Sequence, residues 1–282
     1  MTTKSLAELF REGAARLGGT PEAAREAKIL LLRAARIPEE KYFSSPSRPV
    51  PESRAVFYLR LVEQRRAGWP VSYLTGSREF WSQRLRVTPA VLIPRPETEM
   101  LVERVLALAG RGPKSVLDVG TGSGNIAIAL ALELPAARIY AADISLRALG
   151  VARRNAERLG CGGITFVRSN LFSAFRGSGL RFDFVVSNPP YVSAADWARL
   201  PDEIRAHEPR RALLAGETGL DVIRRLVARS RAFLRPGAYF VFEIGDGQHR
   251  EVLSLFGRGW TEVETGWDLS GKPRVVTARA AG

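Results

Sequence analysis

The stretch Ser115-Val-Leu-Asp-Val119, Gly120-Thr-Gly-Ser-Gly124 and Asn125-Ile-Ala-Ile-Ala-Leu-Ala-Leu132 decides the fold. Its opening run is β-branched and apolar, its middle holds three glycines, and its last part is apolar throughout, as a buried helix would be. Strand, tight turn and helix in that order open a parallel α/β unit. Glycines let the backbone turn sharply and come close to a ligand, because a β-carbon at these points would clash or forbid the dihedrals. About twenty residues on, Asp143 closes the next strand, where a carboxylate can accept hydrogen bonds from both hydroxyls of a ribose. The glycines run G-x-G-x-G, not G-x-G-x-x-G, so no pyrophosphate cradle is indicated and a nucleoside without phosphates fits better.

Working outward, short β-branched runs alternate with helical stretches from about residue 86 onward. Candidate strands are 115–119, 138–142, 164–168, 182–187 and 238–244, with 275–278 as a late antiparallel edge. Helices are expected at 125–134, 146–159 and 219–233. Residues 1–85 read differently. Ser5 and Glu8 fit a capping box, with Leu6, Leu9, Phe10 and Leu17 on one stripe. Thr20-Pro21 looks like an N-cap followed by proline in the first turn of a helix that runs to Pro38. Another helix, 52–66, should place Val56, Leu59, Leu61 and Val62 near one side. The expectation is a helical domain over 1–85, serving substrate recognition, and an α/β domain over 86–282, joined through the Pro- and Arg-rich stretch 84–99.

The chain has 282 residues, 45% hydrophobic and 25% charged, enough for one large or two modest cores. A single cysteine, Cys161, forms no internal disulfide, and with only two histidines the usual zinc sets cannot be assembled. The start of the chain lacks the apolar core of a signal peptide and no window reaches the length of a membrane span, so a soluble, cytoplasmic protein is expected, with a monomer as the default. The net charge is +13, and residues 1–90 hold 16 basic against 9 acidic residues. Such a surface attracts anionic partners, yet only five of the 42 basic residues are lysines, which codon usage alone can produce.

Two further segments carry chemistry. Arg168-Ser-Asn-Leu-Phe172 follows the third strand, where this fold usually places an adenine contact; Asn170 could bond the adenine edge and Leu171 pack on its face, or the segment could serve as a strand cap with core residues. Phe182-Asp-Phe-Val-Val-Ser187 then delivers Asn188-Pro-Pro-Tyr191 to the same edge of the sheet as the glycine loop, the edge where open α/β sheets bind ligands. The prolines fix φ and offer no N–H, so the turn is rigid and rich in acceptors. A planar NH2 group has its lone pair delocalised, as in a peptide bond, and is a poor nucleophile. The Asn188 side-chain oxygen and the Pro189 carbonyl can each accept one of its N–H bonds, and Tyr191 can cover it by stacking. Acceptors that strengthen as the transition state forms remove the need for a strong base. The motif alone leaves adenine N6, guanine N2 and glutamine N5 open.

Asp118 to Gly124 resembles the first motif of class I methyltransferases, whose cofactor, S-adenosylmethionine, is a nucleoside of the required kind. Arg78-Glu-Phe-Trp81, Val87 to Glu99 with its Ile-Pro-Arg-Pro-Glu-Thr-Glu block, Gly68 to Gly76, Glu208-Pro-Arg210 and Asp268 to Val275 extend the likeness over nearly the whole chain. Together they resemble the HemK/PrmC family. The resemblance implies an N-terminal helical bundle before a Rossmann-like domain with a seven-stranded, mostly parallel sheet. It also implies N5-methylation of the glutamine in the Gly-Gly-Gln tripeptide of peptide chain release factors, with no stable nucleic acid binding. Carried over by position, Gly120, Thr121, Gly122, Ser123, Gly124, Asp143, Asn170, Leu171 and Asn188 would contact the cofactor. Asn188, Pro189, Pro190 and Tyr191 would hold the substrate, with Asn188, Pro189 and Tyr191 catalytic. A glutamine methyltransferase acting on a ribosomal protein, or one acting on nucleic acid bases, stands as the alternative. Within the family block, Pro94 and Pro96 should hold Arg95 extended and Glu97 to Glu99 should open a helix over 97–108, as one wall of the entrance.

Overall fold

The computed structural model describes residues 4–282. The first three residues of the expected N-terminal segment lie outside them. The chain divides into two compact units, 1–77 with 201–207, and 78–200 with 208–282.

The first unit is helical: α1 (Leu6–Arg16), α2 (Pro21–Ala35), α3 (Glu39–Ser44), α4 (Glu52–Arg66) and α5 (Val71–Thr75). Both expected caps are present, Ser5 with Glu8 as a reciprocal box and Thr20 accepting from Ala23. Helix α2 stops at Ala35, earlier than expected, because Arg36 takes a left-handed conformation with φ 55°. On α4 the buried face carries Tyr58, Leu61 and Val62, at i, i+3 and i+4, while Val56 is 62% exposed. The expected face was thus rotated, since the aromatic Tyr58 lies with the core of Leu6, Leu9, Leu30 and Leu31. Gly13 on α1 makes room for it: a β-carbon there would stand 1.7 Å from the Tyr58 hydroxyl.

The second unit opens with a hairpin, β1 (Ser77–Phe80) and β2 (Gln83–Arg86), which the sequence reading missed. Its turn residues Trp81 and Ser82 both have positive φ without being glycine, so the usual turn signal is absent. Trp81 is clasped on both sides, its N–H donating to Glu99 and its indole to Glu133, each at 2.7 Å.

The main sheet consists of β3 (Ser115–Val119), β4 (Arg138–Asp143), β5 (Thr165–Arg168), β6 (Phe182–Ser187), β7 (Leu234–Glu243), β8 (Trp260–Trp267) and β9 (Pro273–Ala280). Its order is β5-β4-β3-β6-β7-β9-β8, parallel from β5 to β7, with β9 antiparallel to both neighbours. Seven strands were expected and seven form. The sequence reading had assigned no position to β8, a half-exposed edge strand with Glu262 and Glu264 along it and no clean apolar alternation. The helices are α6 (Glu99–Ala109), α7 (Asn125–Glu133), α8 (Leu146–Arg158), α9 (Ala194–Arg199), α11 (Asp221–Ser230) and α12 (His249–Leu253); α10 (Asp202–His207) belongs to the first unit. Helix α6 begins at Glu99, two residues later than expected, because Pro96–Thr98 forms a 3-10 turn. The expected helix to Phe233 likewise ends at Ser230 and tightens into a 3-10 turn.

Successive residues of the central strands feed opposite cores, as a period of two requires. Val116, Ala141 and Val186 join the core under α6 and α7; Leu117, Ala142 and Val185 join the other, with α11 and the stacked pair Phe240 and Phe242. Covered on both faces, these strands read as near-continuous apolar runs. The chain leaves β3 toward β4 and returns from β5 to β6 on the other side, so the crevice opens at the carboxyl ends of β3 and β6.

Candidate active site

The glycine loop leaves β3 with Gly120, Gly122 and Gly124 all at positive φ, 79°, 55° and 84°. The N–H groups of Gly120 and Thr121 both donate to the Ala142 carbonyl, at 2.8 and 2.9 Å, which folds the loop back over β4. Asp143 at the end of β4 is tied at each oxygen, accepting from Gly122 N at 3.0 Å and from Ser145 N at 2.8 Å. Burial pushes its pKa up against those bonds, and Arg211 lowers it. Asp118 is fully buried and accepts from the Thr121 hydroxyl at 2.6 Å, so it braces the turn and is absent from the cavity wall. Burial pushes its carboxyl up to about 7.

A cavity of about 820 Å³ lies over this loop. Gly120, Thr121, Gly122, Ser123, Asp143, Asn170, Leu171, Asn188 and Pro190 line it. Gly124 does not. A β-carbon there would stand 3.1 Å from Ala152 on α8, so the third glycine serves helix packing. Pro189 is buried and Tyr191 half-buried, and neither forms part of the wall. The Asn170 side-chain oxygen accepts from Arg225 at 3.0 Å, so that oxygen is already engaged. Leu171, at φ 51°, is held by a hydroxyl turn in which Ser169 donates to its carbonyl at 2.6 Å.

Asn188 and Tyr191 are held from behind by groups the sequence reading missed. The Asn188 amide nitrogen donates to Thr98 Oγ1 at 2.9 Å, Thr98 donates to Glu243 Oε2 at 2.7 Å, and the Tyr191 hydroxyl donates to Glu243 Oε1 at 3.1 Å. Thr98 is 1% exposed and Glu243 2%. Burial pushes the Glu243 carboxyl up to about 7, against the hydrogen bonds from Thr98 and Tyr191; Glu97 raises it further and Arg274 lowers it. Burial also raises the Tyr191 phenol. Gln248 completes the brace, accepting from Gly245 N and donating to the Tyr191 carbonyl, both at 2.9 Å. A signal for Glu243 was present in the sequence: it is the one acid inside the apolar run Ala238 to Ile244.

The family block also lines the cavity. Arg95 is extended, as its prolines require, and pairs with the buried Glu208 at 2.5 Å, whose other oxygen accepts from Ile93 N at 3.1 Å. Pro94, Arg95 and Thr98 face the cavity. Asn155 on α8, fully buried, bonds both backbone groups of Arg86 and the Ser123 carbonyl, so one amide locks the hairpin to the glycine loop. Ile144 and Leu146, half-exposed and exposed, add apolar surface beside Asp143.

These groups fit a nucleoside bearing a sulfonium. The loop brings bare backbone to the cavity, since a β-carbon on Gly120 would find only the Asn188 backbone oxygen within 4 Å, at 3.9 Å. The same contact places loop and Asn188 side by side. The same wall holds the Asp143 carboxylate, suited to ribose, and the Asn188 carboxamide.

Comparison with known proteins identifies the family. Residues 8–76 match the PrmC N-terminal domain and residues 96–204 the methyltransferase small domain. The release factor glutamine methyltransferase of Koribacter versatilis is 41% identical over 261 residues, 92% of each chain. That of Salmonella typhimurium is 43% identical over 220 residues, 78% of each. Among solved structures, the catalytic domain of hMettl16 superposes with a TM-score of 0.55 at 18% identity, covering 80% of this chain and 81% of its own. The Thermus thermophilus 16S rRNA N2 G1207 methyltransferase gives 0.53 at 20% identity, covering 72% and 49%. At such identities the structures speak for the fold alone.

Proposed function

Since the chain belongs to the family of release factor glutamine methyltransferases, we propose that it methylates a release factor on glutamine. It takes the methyl group from S-adenosylmethionine, breaking its bond to sulfur, and places it on the side-chain nitrogen, N5, of the Gly-Gly-Gln glutamine, which then gives up one N–H proton to water. The observation that carries this reading is Asn188: its nitrogen donates to Thr98, which turns its oxygen Oδ1 away from Thr98 as an acceptor beside the glycine loop.

In this reading the backbone of Gly120 to Ser123 holds the cofactor and Asp143 holds its ribose, with Ile144, Leu146 and Leu171 against the base. The bound cofactor supplies an electrophilic methyl carbon on a positively charged sulfur. Asn188 Oδ1, on the cavity wall, accepts an N–H bond of the substrate carboxamide, aiming its nitrogen at the cofactor. That bond strengthens as positive charge grows on the nitrogen, which is where its catalytic effect lies. Tyr191, fixed by Glu243 and Gln248, supports the far side of the flat group.

The test is transfer of label from S-adenosylmethionine, offered separately to release factor and to total RNA and DNA. Label in release factor, lost when the Gly-Gly-Gln glutamine is replaced, supports the reading. Label in nucleic acid alone overturns it and favours the base-methylating alternative, which a net charge of +13 would suit.

A further inference from the structure

Thr98, which lines the cavity, and Glu243, which does not, are both buried and bond Asn188 and Tyr191 respectively. We propose that Thr98 and Glu243 are a positioning pair that sets which end of the Asn188 carboxamide faces the substrate and holds Tyr191, acting on the reaction through those two residues. This deepens the proposed function and rests on it.

At Glu243 both partners are donors, Tyr191 through its hydroxyl at 3.1 Å and Thr98 through its hydroxyl at 2.7 Å. A threonine hydroxyl has one proton. With that proton on Glu243, Thr98 Oγ1 can meet Asn188 only as an acceptor, and at 2.9 Å it must face the NH2 end of the carboxamide. The alternative rotamer, with Oδ1 toward Thr98, would set two lone pairs against each other in a buried place. The amide is thereby turned so that Oδ1, the acceptor the proposed chemistry needs, points away from Thr98. The same carboxylate holds the Tyr191 ring, so one group orients both ends of the Asn188 to Tyr191 turn. The pair comes from distant elements: Thr98 closes the 3-10 turn after Arg95, and Glu243 ends β7.

Thr98→Val removes the hydroxyl at nearly constant shape, and Thr98→Ser keeps it. In the transfer assay, Thr98→Val should lose about tenfold or more in kcat with KM for release factor changed by less than about threefold. Thr98→Ser should stay within about threefold of the parent protein. In an Asn188→Ala background Thr98→Val should cost nothing further, because the group it positions is gone. A kcat for Thr98→Val equal to that of the parent, or an equal loss in both backgrounds, overturns the proposal while leaving the methyltransferase reading intact. A second measurement needs neither substrate nor the Thr98→Val variant. The nitrogen-15 side-chain amide signal of Asn188, identified by its absence in Asn188→Ser, should show slowed proton exchange in the parent protein. Free exchange in the parent overturns the proposal even if the protein proves to methylate another substrate.

Discussion

A β-carbon built on Gly219 would stand 2.4 Å from the backbone oxygen of Tyr191, closer than such atoms approach in real proteins. Gly219 also has φ 75°, and the Tyr191 oxygen it faces is the one that accepts from Gln248. The loop before α11 therefore presses directly on the Asn188 to Tyr191 turn, and the fit admits no side chain.

Gly219→Ala should accordingly shift the turn. A folded but impaired protein is expected, destabilised by about 1–3 kcal/mol with kcat down about tenfold or more. Urea melts and transfer kinetics on one preparation check this; parental kcat would show that the turn moves without consequence.

Asn188→Ala should lower kcat by about two orders of magnitude, about 2.7 kcal/mol of transition-state stabilisation. Cofactor affinity, measured by calorimetry, should fall much less, since the glycine loop and Asp143 are untouched. Near-normal turnover would remove Asn188 from the chemistry.

Asn155→Ala leaves both backbone groups of Arg86 and the Ser123 carbonyl without the amide that joins them. A loss of about 3 kcal/mol in unfolding free energy is expected, together with weaker cofactor binding through the loosened glycine loop. Denaturant titration and calorimetry test the two parts separately.

Glu208→Gln keeps the shape but removes the charge that Arg95 faces inside the protein. Hydrogen exchange at the Ile93 amide, which donates to Glu208 at 3.1 Å, should quicken in this variant. Unchanged protection at Ile93 would show that the ion pair does not hold the segment.

Stability should decline as pH rises from about 5 to 8. The folded protein holds Asp118 and Glu243 at about 7, well above their ordinary 3.8 and 4.5, chiefly through burial. In that window the folded state binds more protons than the unfolded one, so stabilisation present at low pH is lost as pH passes through the folded pKa. The acids with depressed pKa, such as Asp183 and Asp268, act only below their ordinary range and do not oppose the trend. Urea midpoints at pH 5 and pH 8 should differ in this sense, and Asp118→Asn should narrow the difference. A midpoint that rises with pH would contradict the assignment.

What was legible in the sequence is what depends on neighbours along the chain. The run from Ser115 to Leu132 announces strand, loop and helix because alternation, glycine and apolar length are local properties. The stiffness of Asn188 to Tyr191 is likewise local, since proline sets its own φ and that of its predecessor. Missed elements were those whose stability is borrowed: β8 is an exposed edge strand held by pairing to β9, and the Trp81 turn is held by Glu99 and Glu133. Asn170 shows the same limit, its oxygen claimed by Arg225 from 55 residues away.

The backbone turn that offers acceptors was thus written in the sequence, together with the loop beside it and the carboxylate at Asp143. The direction in which Asn188 points was decided only by tertiary structure. A carboxamide has two ends of nearly equal shape, and the choice between them is made by Thr98 and Glu243, 90 residues before it and 55 after, whose hydroxyl and carboxylate meet only when β6, β7 and the turn before α6 come together.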